Sequence, residues 1–436
     1  MSKRTKDALE DALLGSTAAV QTSRLGRVWS TGRAAMGLAR TALRRDGVVD
    51  EAALEQLTTR LGSLKGLGMK LGQIFSYVDP SLPPEARRML SVLQTRAPAS
   101  PPEAVRRTVE RAFGDRASTL LSAMNPRPFS VASIGQVHRA TLPGVGDVVV
   151  KVLHEGIIDA LQADFASARA GVTFADTLML GAAADAKAAV EEVRAVMLAE
   201  CDFAREADHQ RAFGRWLSSD PSTRVPEVVD AWSASTVLTS RDEPGATLDA
   251  FLEAQPSQAE RNRAGAALFH ASVGGLYALG RLHADPHPGN FAFRDGRVVL
   301  YDFGCVRTFE PRHVRALAGL VSALRANDHR AVMAAASAFG FDTSTPERQA
   351  LLLRFTRGFF FPVLQRGAAR IPADRPAELK DLLADKRALA KLGLPPHAMF
   401  LLRLRFGLYA VLSRLEAEVD WGALEERLST AVREAA

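Results

Sequence analysis

The spacing of apolar and polar residues divides the chain into regions of different predicted secondary structure. Residues 1 to about 95 have the periodicity of helices, which the Pro-rich segment "TRAPASPPEA" then interrupts. From Pro126, "PFSVASIGQVHRATL" alternates between apolar and polar positions, as β-strands do. The turn residues "PGVGD" and the apolar run "VVVKVL" follow, so this region is predicted to form a hairpin and a third strand.

The remaining chain is predicted to be mainly helical. A long helical region covers residues 159–217, and "VPEVVDAWSASTVLTSRDEPG" predicts two further strands. Beyond Thr247, helical patterns dominate and are interrupted by "RLHADPHPGN" and "RVVLYDFG". This distribution predicts an α+β fold.

The composition is typical of a globular protein with two or three domains. The 436 residues are 47% hydrophobic and 24% charged, with a net charge of +6. Cys201 and Cys305 are too few for a disulfide framework or a cysteine zinc site, and the amino terminus has no signal-type apolar stretch. A cytoplasmic location is therefore expected.

Two stretches bear on membrane contact. Residues 264–280 are uncharged and lie at the lower limit of length for a membrane span, and we interpret them as a buried core helix. Residues 24–45 contain six arginines and no acid, interleaved with apolar residues. This basic amphipathic pattern predicts either a helix docked on the protein body or peripheral contact with an anionic membrane surface.

The strongest chemical signal begins in "RLHADPHPGN". Asp285 and Asn290 are five residues apart, and "DFG" begins twelve residues after Asn290, at Asp302. Phosphoryl transfer uses this set, because one Asp orients the attacking hydroxyl or water while the Asn and the second Asp hold Mg²⁺. The intervening "FAFRDGRVVLY" predicts an Asp-Gly hairpin that would return Asp302 beside Asn290.

The same stretch has a competing interpretation, because His283, Asp285 and His287 alternate like the ligands of a small zinc site. Such a site needs a fourth ligand, and no cysteine or further histidine lies nearby in the sequence. We therefore assign the metal to Asn290 and Asp302 as Mg²⁺, and expect His283 to be structural. For His287, a hydrogen-bonded loop role and a direct nucleotide or substrate contact both stay open.

Phosphate binding also requires an upstream lysine, and Lys151 lies on the strand predicted from "VVVKVL". Its ammonium would reach the α/β-phosphates, and a buried lysine needs a carboxylate partner. In "ECDFAREA", Asp202 and Glu206 lie four apart on one helix face, while Glu200 is turned away. We assign Glu206 to Lys151 and leave Glu200 and Asp202 for another contact. A solvated strand lysine and a solvated acidic helix are the alternatives.

No G-x-G-x-x-G loop precedes this lysine. The sequence there is "SVASIGQV", which places Ala132, Ser133, Ile134 and Gly135 where a nucleotide-binding loop is expected. Backbone N–H groups can still bind phosphate oxygens there, although added side chains limit how closely the backbone approaches the nucleotide.

Six motifs occur in one order: "KLGQ" (Lys70 to Gln73), the Ala-type loop "VASIGQVHRA", "VVVKVL", the "ECD" acid cluster, "HADPHPGN" and "YDFG". Together they resemble the UbiB-like (AarF-domain) atypical kinase family over about residues 61–307. The resemblance implies a protein-kinase-like two-lobed fold with a small β-rich amino-terminal lobe and a helical carboxy-terminal lobe. It also implies a helical amino-terminal extension whose K-x-G-Q motif lies over the nucleotide site. Lys70 and Gln73 would then lie near the nucleotide, with Lys70 contacting Glu200 or Asp202.

On this basis the extension covers residues 1–110, the amino-terminal lobe 111–246 and the carboxy-terminal lobe 247–436. The segment "LTSRDEPG", at the expected hinge, is more polar than is usual in the family. Many bacterial members end in transmembrane helices. No transmembrane helix is expected here, since the chain ends in "LSTAVREAA", and any membrane association would be peripheral.

The resemblance implies an ATP-dependent kinase or ATPase that uses ATP or ADP with Mg²⁺ and is linked to isoprenoid-quinone (ubiquinone) biosynthesis or lipid homeostasis. The expected partners are the nucleotide and a lipid or quinone-precursor ligand, and no nucleic acid is expected. Two alternatives stay open: a small-molecule phosphotransferase of the aminoglycoside or choline kinase type, and a non-catalytic nucleotide-gated scaffold. "KLGQ" and "SVASIGQVH" argue against the first, and the intact Asp285 argues weakly against the second.

Overall fold

The structure, a computed structural model, describes residues 99–166, 191, 194–374, 376, 379, 381–382, 385, 388 and 391–434. The described residues up to Ala207 form one unit together with Val228–Asp242. Asp208–Glu227 and the described residues from Glu243 onward form a second unit. Residues 208–227, which the sequence-based division places in the amino-terminal lobe, thus belong to the second unit.

The secondary structure of the described residues is mixed. The helices are α1 (Pro102–Phe113), α2 (Ala117–Ala123), α3 (Phe203–Trp216), α4 (Leu248–Glu253), α5 (Gln258–Leu279), α6 (Pro311–Ala326), α7 (His329–Phe339), α8 (Pro346–Phe359), α9 (Phe361–Leu364), α10 (Pro396–Leu415) and α11 (Trp421–Glu434). The strands are β1 (Ser130–Val131), β2 (Gly135–Leu142), β3 (Gly146–Leu153), β4 (Thr223–Arg224), β5 (Val237–Arg241), β6 (Arg281–His283), β7 (Phe291–Arg294), β8 (Arg297–Leu300), β9 (Val306–Thr308), β10 (Ala369–Arg370) and β11 (Glu418–Val419). Residues 157–166 and 194–200 are also helical. The predicted α+β class is confirmed.

The first unit contains an antiparallel sheet in the order β1-β2-β3-β5. Successive strand residues point to opposite faces, so the alternation in β3 decides where its lysine points. The apolar residues Val148, Val150 and Val152 are buried in one cluster with residues of α1 and α2. Lys151 therefore points to the other face, where Leu153, Phe165 and Phe203 belong to a second buried cluster.

The second unit has a large core around α5, and this helix includes most of residues 264–280. α5 begins with a capping box between Ser257 and Glu260 and ends at Gly280, whose φ of 62° is left-handed. The uncharged run is thus a buried core helix, as expected. Among the described residues, none of the helices combines the length and apolarity needed to cross a membrane.

The strands of the second unit position its loops. β7 and β8 form an antiparallel hairpin whose turn residues Asp295 and Gly296 both have positive φ, 50° and 74°. Such a turn matches the twist of the strands, and the predicted Asp-Gly hairpin is confirmed. β4 pairs in parallel with β8, and β6 pairs with β9, so that the chain on either side of the hairpin is also held in sheets.

One of the two strands predicted from "VPEVVDAWSASTVLTSRDEPG" is wrong. β5 is present, but Val228 forms only an isolated bridge with Ser240, and Asp230–Trp232 form a 3₁₀ helix. Pro226 lacks the N–H that a longer ladder would need. Thr239 Oγ1 donates instead to the Trp232 carbonyl at 2.6 Å and stabilises the irregular path.

Candidate active site

Lys151 of β3 forms an ion pair with Glu206 of α3. The Nζ–Oε1 and Nζ–Oε2 distances are 2.8 and 2.9 Å. The Glu206 side chain is only 2% exposed and that of Lys151 15%. At such burial, the loss of either partner would leave a charge with little solvent around it. The contact predicted from the sequence is present, and its role toward phosphates stays a prediction.

The first turn of α3 builds the surroundings of this pair. Asp202 caps the helix, because its Oδ1 accepts from the N–H groups of Ala204 and Arg205 at 3.1 and 3.4 Å. Lys151 Nζ lies 5.1 Å from the ring centroid of Phe203, the first residue of α3. An aromatic face and a carboxylate from one helical turn thus hold the ammonium.

The structure describes Glu200 and Asp202, the two acids that are predicted to contact Lys70. Glu200 is buried at 6% exposure, in the helical segment before α3. Lys70, Gln73 and the basic segment 24–45 lie outside the described residues. The contact of Lys70 with Glu200 or Asp202 stays a prediction.

Residues 132–135 form a tight turn between β1 and β2. The Ala132 N–H donates to the Gly135 carbonyl at 2.8 Å. A Cβ atom at Gly135 would lie 2.6 Å from the Val152 carbonyl oxygen, so a side chain does not fit there. Among the described residues, no acceptor is found for the N–H groups of Ser133 and Ile134. Backbone donors of this kind suit an anion such as phosphate.

The loop between β6 and β7 carries Asp285 and Asn290. Asn290 ends a short 3₁₀ helix, and its Nδ2 donates to the Asp285 carbonyl at 3.1 Å. This hydrogen bond orients the amide and leaves Oδ1 as the side-chain oxygen for a further contact. His287 Nδ1 accepts from the Gly289 N–H at 3.0 Å, which is the hydrogen-bonded loop role left open above.

The hairpin brings the "DFG" motif back to this loop. The Tyr301 N–H donates to the Asn290 carbonyl at 2.9 Å, so Asp302 follows a residue bonded to Asn290, as predicted. Asp302 Oδ1 accepts from the Gly304 N–H at 2.9 Å. Carboxylate and amide oxygens suit Mg²⁺, which usually binds only one or two protein groups together with phosphates. In the part of the chain that the structure describes, no group of three or more His, Cys, Asp and Glu residues could hold a metal ion.

His283 is a structural residue, as expected. It is 6% exposed, and its Nε2 donates to the Asp302 carbonyl at 2.6 Å. Its ring packs edge-to-face on Phe213 and Phe303, with centroid distances of 6.1 and 5.3 Å. Because Nε2 carries the proton toward a carbonyl, this nitrogen is not a metal ligand, and the zinc interpretation loses support.

Sequence reasoning missed Arg403 on α10. Its Nη2 lies 3.0 Å from Asp285 Oδ1, and its Nη1 lies 3.7 Å from Cys305 Sγ, next to the "DFG" motif. The Arg403 and Asp285 side chains are only 10% and 21% exposed. The signal in the sequence was an arginine inside the apolar helix "MFLLRLRFGLYAVL", since a buried arginine requires a partner.

α10 also contacts the loop through Gly407. A Cβ atom there would lie 2.5 Å from Pro286 Cγ, so the helix and the loop approach each other more closely than an alanine allows. Asp285 is therefore held by an ion pair and, through the next residue, by the close packing of the Pro286 ring against Gly407.

Comparison with known proteins identifies the family of the chain. Residues 92–336, more than half of the chain, match the family of the ABC1 atypical kinase-like domain. The chain belongs to this family. The resemblance to UbiB-like atypical kinases is confirmed, and so is the kinase-like fold.

Several relatives of the ABC1 kinase-like family are similar to the chain. The mitochondrial atypical kinase COQ8 of Saccharomyces cerevisiae is 24% identical, over 97% of this chain and 88% of the yeast protein. The mitochondrial atypical kinase COQ8B of Danio rerio is 28% identical, over 62% of this chain and 43% of the fish protein. The chloroplastic protein ACTIVITY OF BC1 COMPLEX KINASE 8 of Arabidopsis thaliana is 30% identical, over 56% of this chain and 33% of the plant protein. The matched part is thus less than half of the fish and plant relatives.

Among solved structures, the Rv3197–erythromycin complex from Mycobacterium tuberculosis is similar, with a TM-score of 0.56 and 26% identity. The similarity covers 87% of this chain and 96% of that chain.

Proposed function

We propose that this ABC1 kinase-like protein binds ATP or ADP with Mg²⁺ and hydrolyses ATP or transfers its terminal phosphoryl group. The observation that carries the proposal is the buried Lys151–Glu206 pair, because a lysine held by a helix carboxylate is a recurring phosphate-binding element of kinases. In the second unit, the proposal is supported by the loop that orients Asp285 and the Asn290 amide.

Each residue has a distinct role in this proposal. Lys151 binds the α/β-phosphates, and the Ser133 and Ile134 N–H groups bind phosphate oxygens. Asp285 orients the attacking water or hydroxyl and accepts its proton, while Arg403 fixes the carboxylate. Asn290 and Asp302 would hold Mg²⁺, which neutralises the charge developing on the phosphates.

Binding and turnover measurements test the proposal. Calorimetry should show Mg-dependent nucleotide binding to the wild-type protein, and Asp302→Asn should abolish the metal dependence. Asp285→Asn should retain binding and lose turnover, which distinguishes an enzyme from a nucleotide-gated scaffold. Equal nucleotide affinity with and without Mg²⁺ in both the wild-type and Asp302→Asn proteins would contradict the assignment.

The acceptor distinguishes ATPase from transferase activity. The Mycobacterium tuberculosis relative was solved with erythromycin, which favours a hydroxyl-bearing small molecule as a second candidate ligand. Radiolabelled phosphate on an added aminoglycoside, macrolide, alcohol or protein would establish a transferase. Inorganic phosphate as the only labelled product would establish an ATPase.

We also propose a lipid or quinone-precursor ligand and peripheral membrane contact, resting on the UbiB-like family and the basic segment 24–45. Anionic vesicles or a quinone-like phenol should then stimulate ATP turnover. Charge reversal at Arg24, Arg27 and Arg33 should reduce vesicle binding, and unchanged binding would leave that segment a docking element.

A further inference from the structure

A chain of buried polar groups leads through the first unit to the predicted phosphate-binding turn. Its members Gln136, His138 and His154 are 1–2% exposed, and Ser100 is 6% exposed. Ser100 lies in the middle of this chain of hydrogen bonds and links it to the residues before α1. Polar groups this deeply buried are costly unless every donor meets an acceptor, so their arrangement is specific.

The direction of the first hydrogen bonds follows from chemistry. The Asn125 carbonyl can only accept, so His138 Nδ1 donates to it over 2.7 Å. His138 Nε2 is then an acceptor and binds the Gln136 amide nitrogen at 2.8 Å. The Gln136 oxygen faces the Ser100 N–H, which donates to it over 2.6 Å.

The second half of this chain of hydrogen bonds ends at the turn formed by residues 132–135. The Ala132 carbonyl can only accept, so His154 Nε2 donates to it over 3.2 Å. His154 Nδ1 then accepts from the Ser100 hydroxyl over 2.7 Å. One imidazole thus connects Ser100, two residues before α1, to Ala132, the first residue of the turn.

This contact completes the bonding of Ala132. Its N–H donates across the turn to Gly135, and its carbonyl is held by His154. Both peptide groups flanking Ala132 are therefore fixed by the protein. The N–H groups of Ser133 and Ile134 have no acceptor among the described residues, and they belong to a turn whose first residue is held at both its N–H and its carbonyl. Preorganised backbone donors bind an anion more tightly than donors that must first be ordered.

We propose that His154 is a positioning residue for nucleotide phosphates, and that Ser100 couples the turn to the segment before α1. The inference rests on the proposed nucleotide function. His154 does not touch the nucleotide in this proposal, and it acts by fixing the Ala132 carbonyl. Loss of this hydrogen bond should weaken phosphate binding with little effect on the rate at saturating nucleotide.

Four variants test the inference in the full chain. His154→Phe removes both imidazole contacts and should raise the Kd for Mg-ATP about tenfold, the effect of one well-placed hydrogen bond. Ser100→Ala should raise it less, since the Ala132 contact remains. His154→Gln keeps one donor and one acceptor and should restore much of the affinity. The matched control is His397→Phe, which removes an imidazole donation to the Phe339 carbonyl in the second unit.

Calorimetry well below each melting temperature separates positioning from simple destabilisation. A raised Kd with unchanged kcat in His154→Phe, rescue by His154→Gln and a wild-type Kd in His397→Phe would support the inference. If the wild type and both His154 variants are folded and have equal Kd values for Mg-ATP, this inference is wrong and the proposed function is unaffected. A wild-type protein that binds no Mg-ATP would overturn the proposed function together with this inference.

Discussion

Arg403 and Asp285 are 118 residues apart in the sequence, and their Nη2 and Oδ1 atoms lie 3.0 Å apart in the structure. Little solvent reaches either side chain, so the pair restricts the carboxylate to a narrow range of orientations. In the proposed reaction this carboxylate must face the attacking oxygen, and its orientation affects the rate directly.

Arg403→Gln should lower kcat for ATP turnover about 10- to 100-fold, because a misplaced catalytic group loses most of its effect. Nucleotide Kd should change little, since the proposed role of Arg403 is to fix Asp285 and not to bind phosphate. Single-turnover kinetics and calorimetry measure the two effects separately. The control is Arg414→Gln, also on α10, which removes an exposed ion pair with Asp249 of α4. Equal loss of turnover in both variants would show that α10 is merely destabilised.

Gly407→Ala should reduce both stability and turnover. The added Cβ would lie 2.5 Å from Pro286 Cγ, and such overpacking destabilises by about 1–3 kcal/mol. Gly319→Ala on α6 is the matched control, because its Cβ would meet Ala335 at an ordinary 3.8 Å. That change should stabilise the helix by about 0.5–1 kcal/mol. Urea unfolding measures both, and a neutral Gly407→Ala would contradict the close contact.

Glu425→Gln should strongly destabilise the second unit. Glu425 and Arg405 form an ion pair with both side chains 0% exposed, and Tyr277 also donates to Glu425 at 2.7 Å. Burial and the Glu425 carboxylate raise the pKa of Tyr277, so its hydroxyl stays protonated and available to donate. Loss of one charge leaves Arg405 buried without its counter-ion, which costs about 3–5 kcal/mol.

Chemical denaturation measures this loss. The double variant Arg405→Met with Glu425→Leu should recover part of it, because neither charge is then buried. A double variant that is less stable than either single variant would contradict this account. The exposed pair of Lys391 with Glu347 provides the control, where Glu347→Gln should have little effect.

The first unit should lose stability as the pH falls below about 6.5, the ordinary histidine value. Burial lowers the pKa of His138, so the folded protein resists a proton that the unfolded chain accepts. The contribution is therefore fully present above the unfolded pKa and is lost as the pH falls below it. Unfolding free energies from pH 8 to pH 5 should fall more steeply for wild type than for His138→Asn. Parallel curves would contradict a neutral His138 in the folded protein.

Local motifs made the Lys151–Glu206 pair and the Asp-Gly hairpin predictable, because their spacing fixes geometry over short distances. Alternation in "VVVKVL" fixes the face of Lys151, and the Asp-Gly turn fixes the return of Asp302 to Asn290. Arg403 could not be assigned in this way, since only the packing of α10 brings it to Asp285. The pairing of β4 with β8 likewise depends on contacts distant in sequence, and residues 208–227 could not be assigned to the second unit without it.

The absence of space beside Gly135 restricts how the proposed phosphate-binding turn of residues 132–135 can evolve. Any side chain at this position would force the Val152 carbonyl of β3 away, and with it the strand that carries Lys151. In a library randomised over residues 132–135 and selected for altered nucleotide preference, the surviving diversity should therefore fall at the first three positions. Position 135 should return glycine in every functional clone.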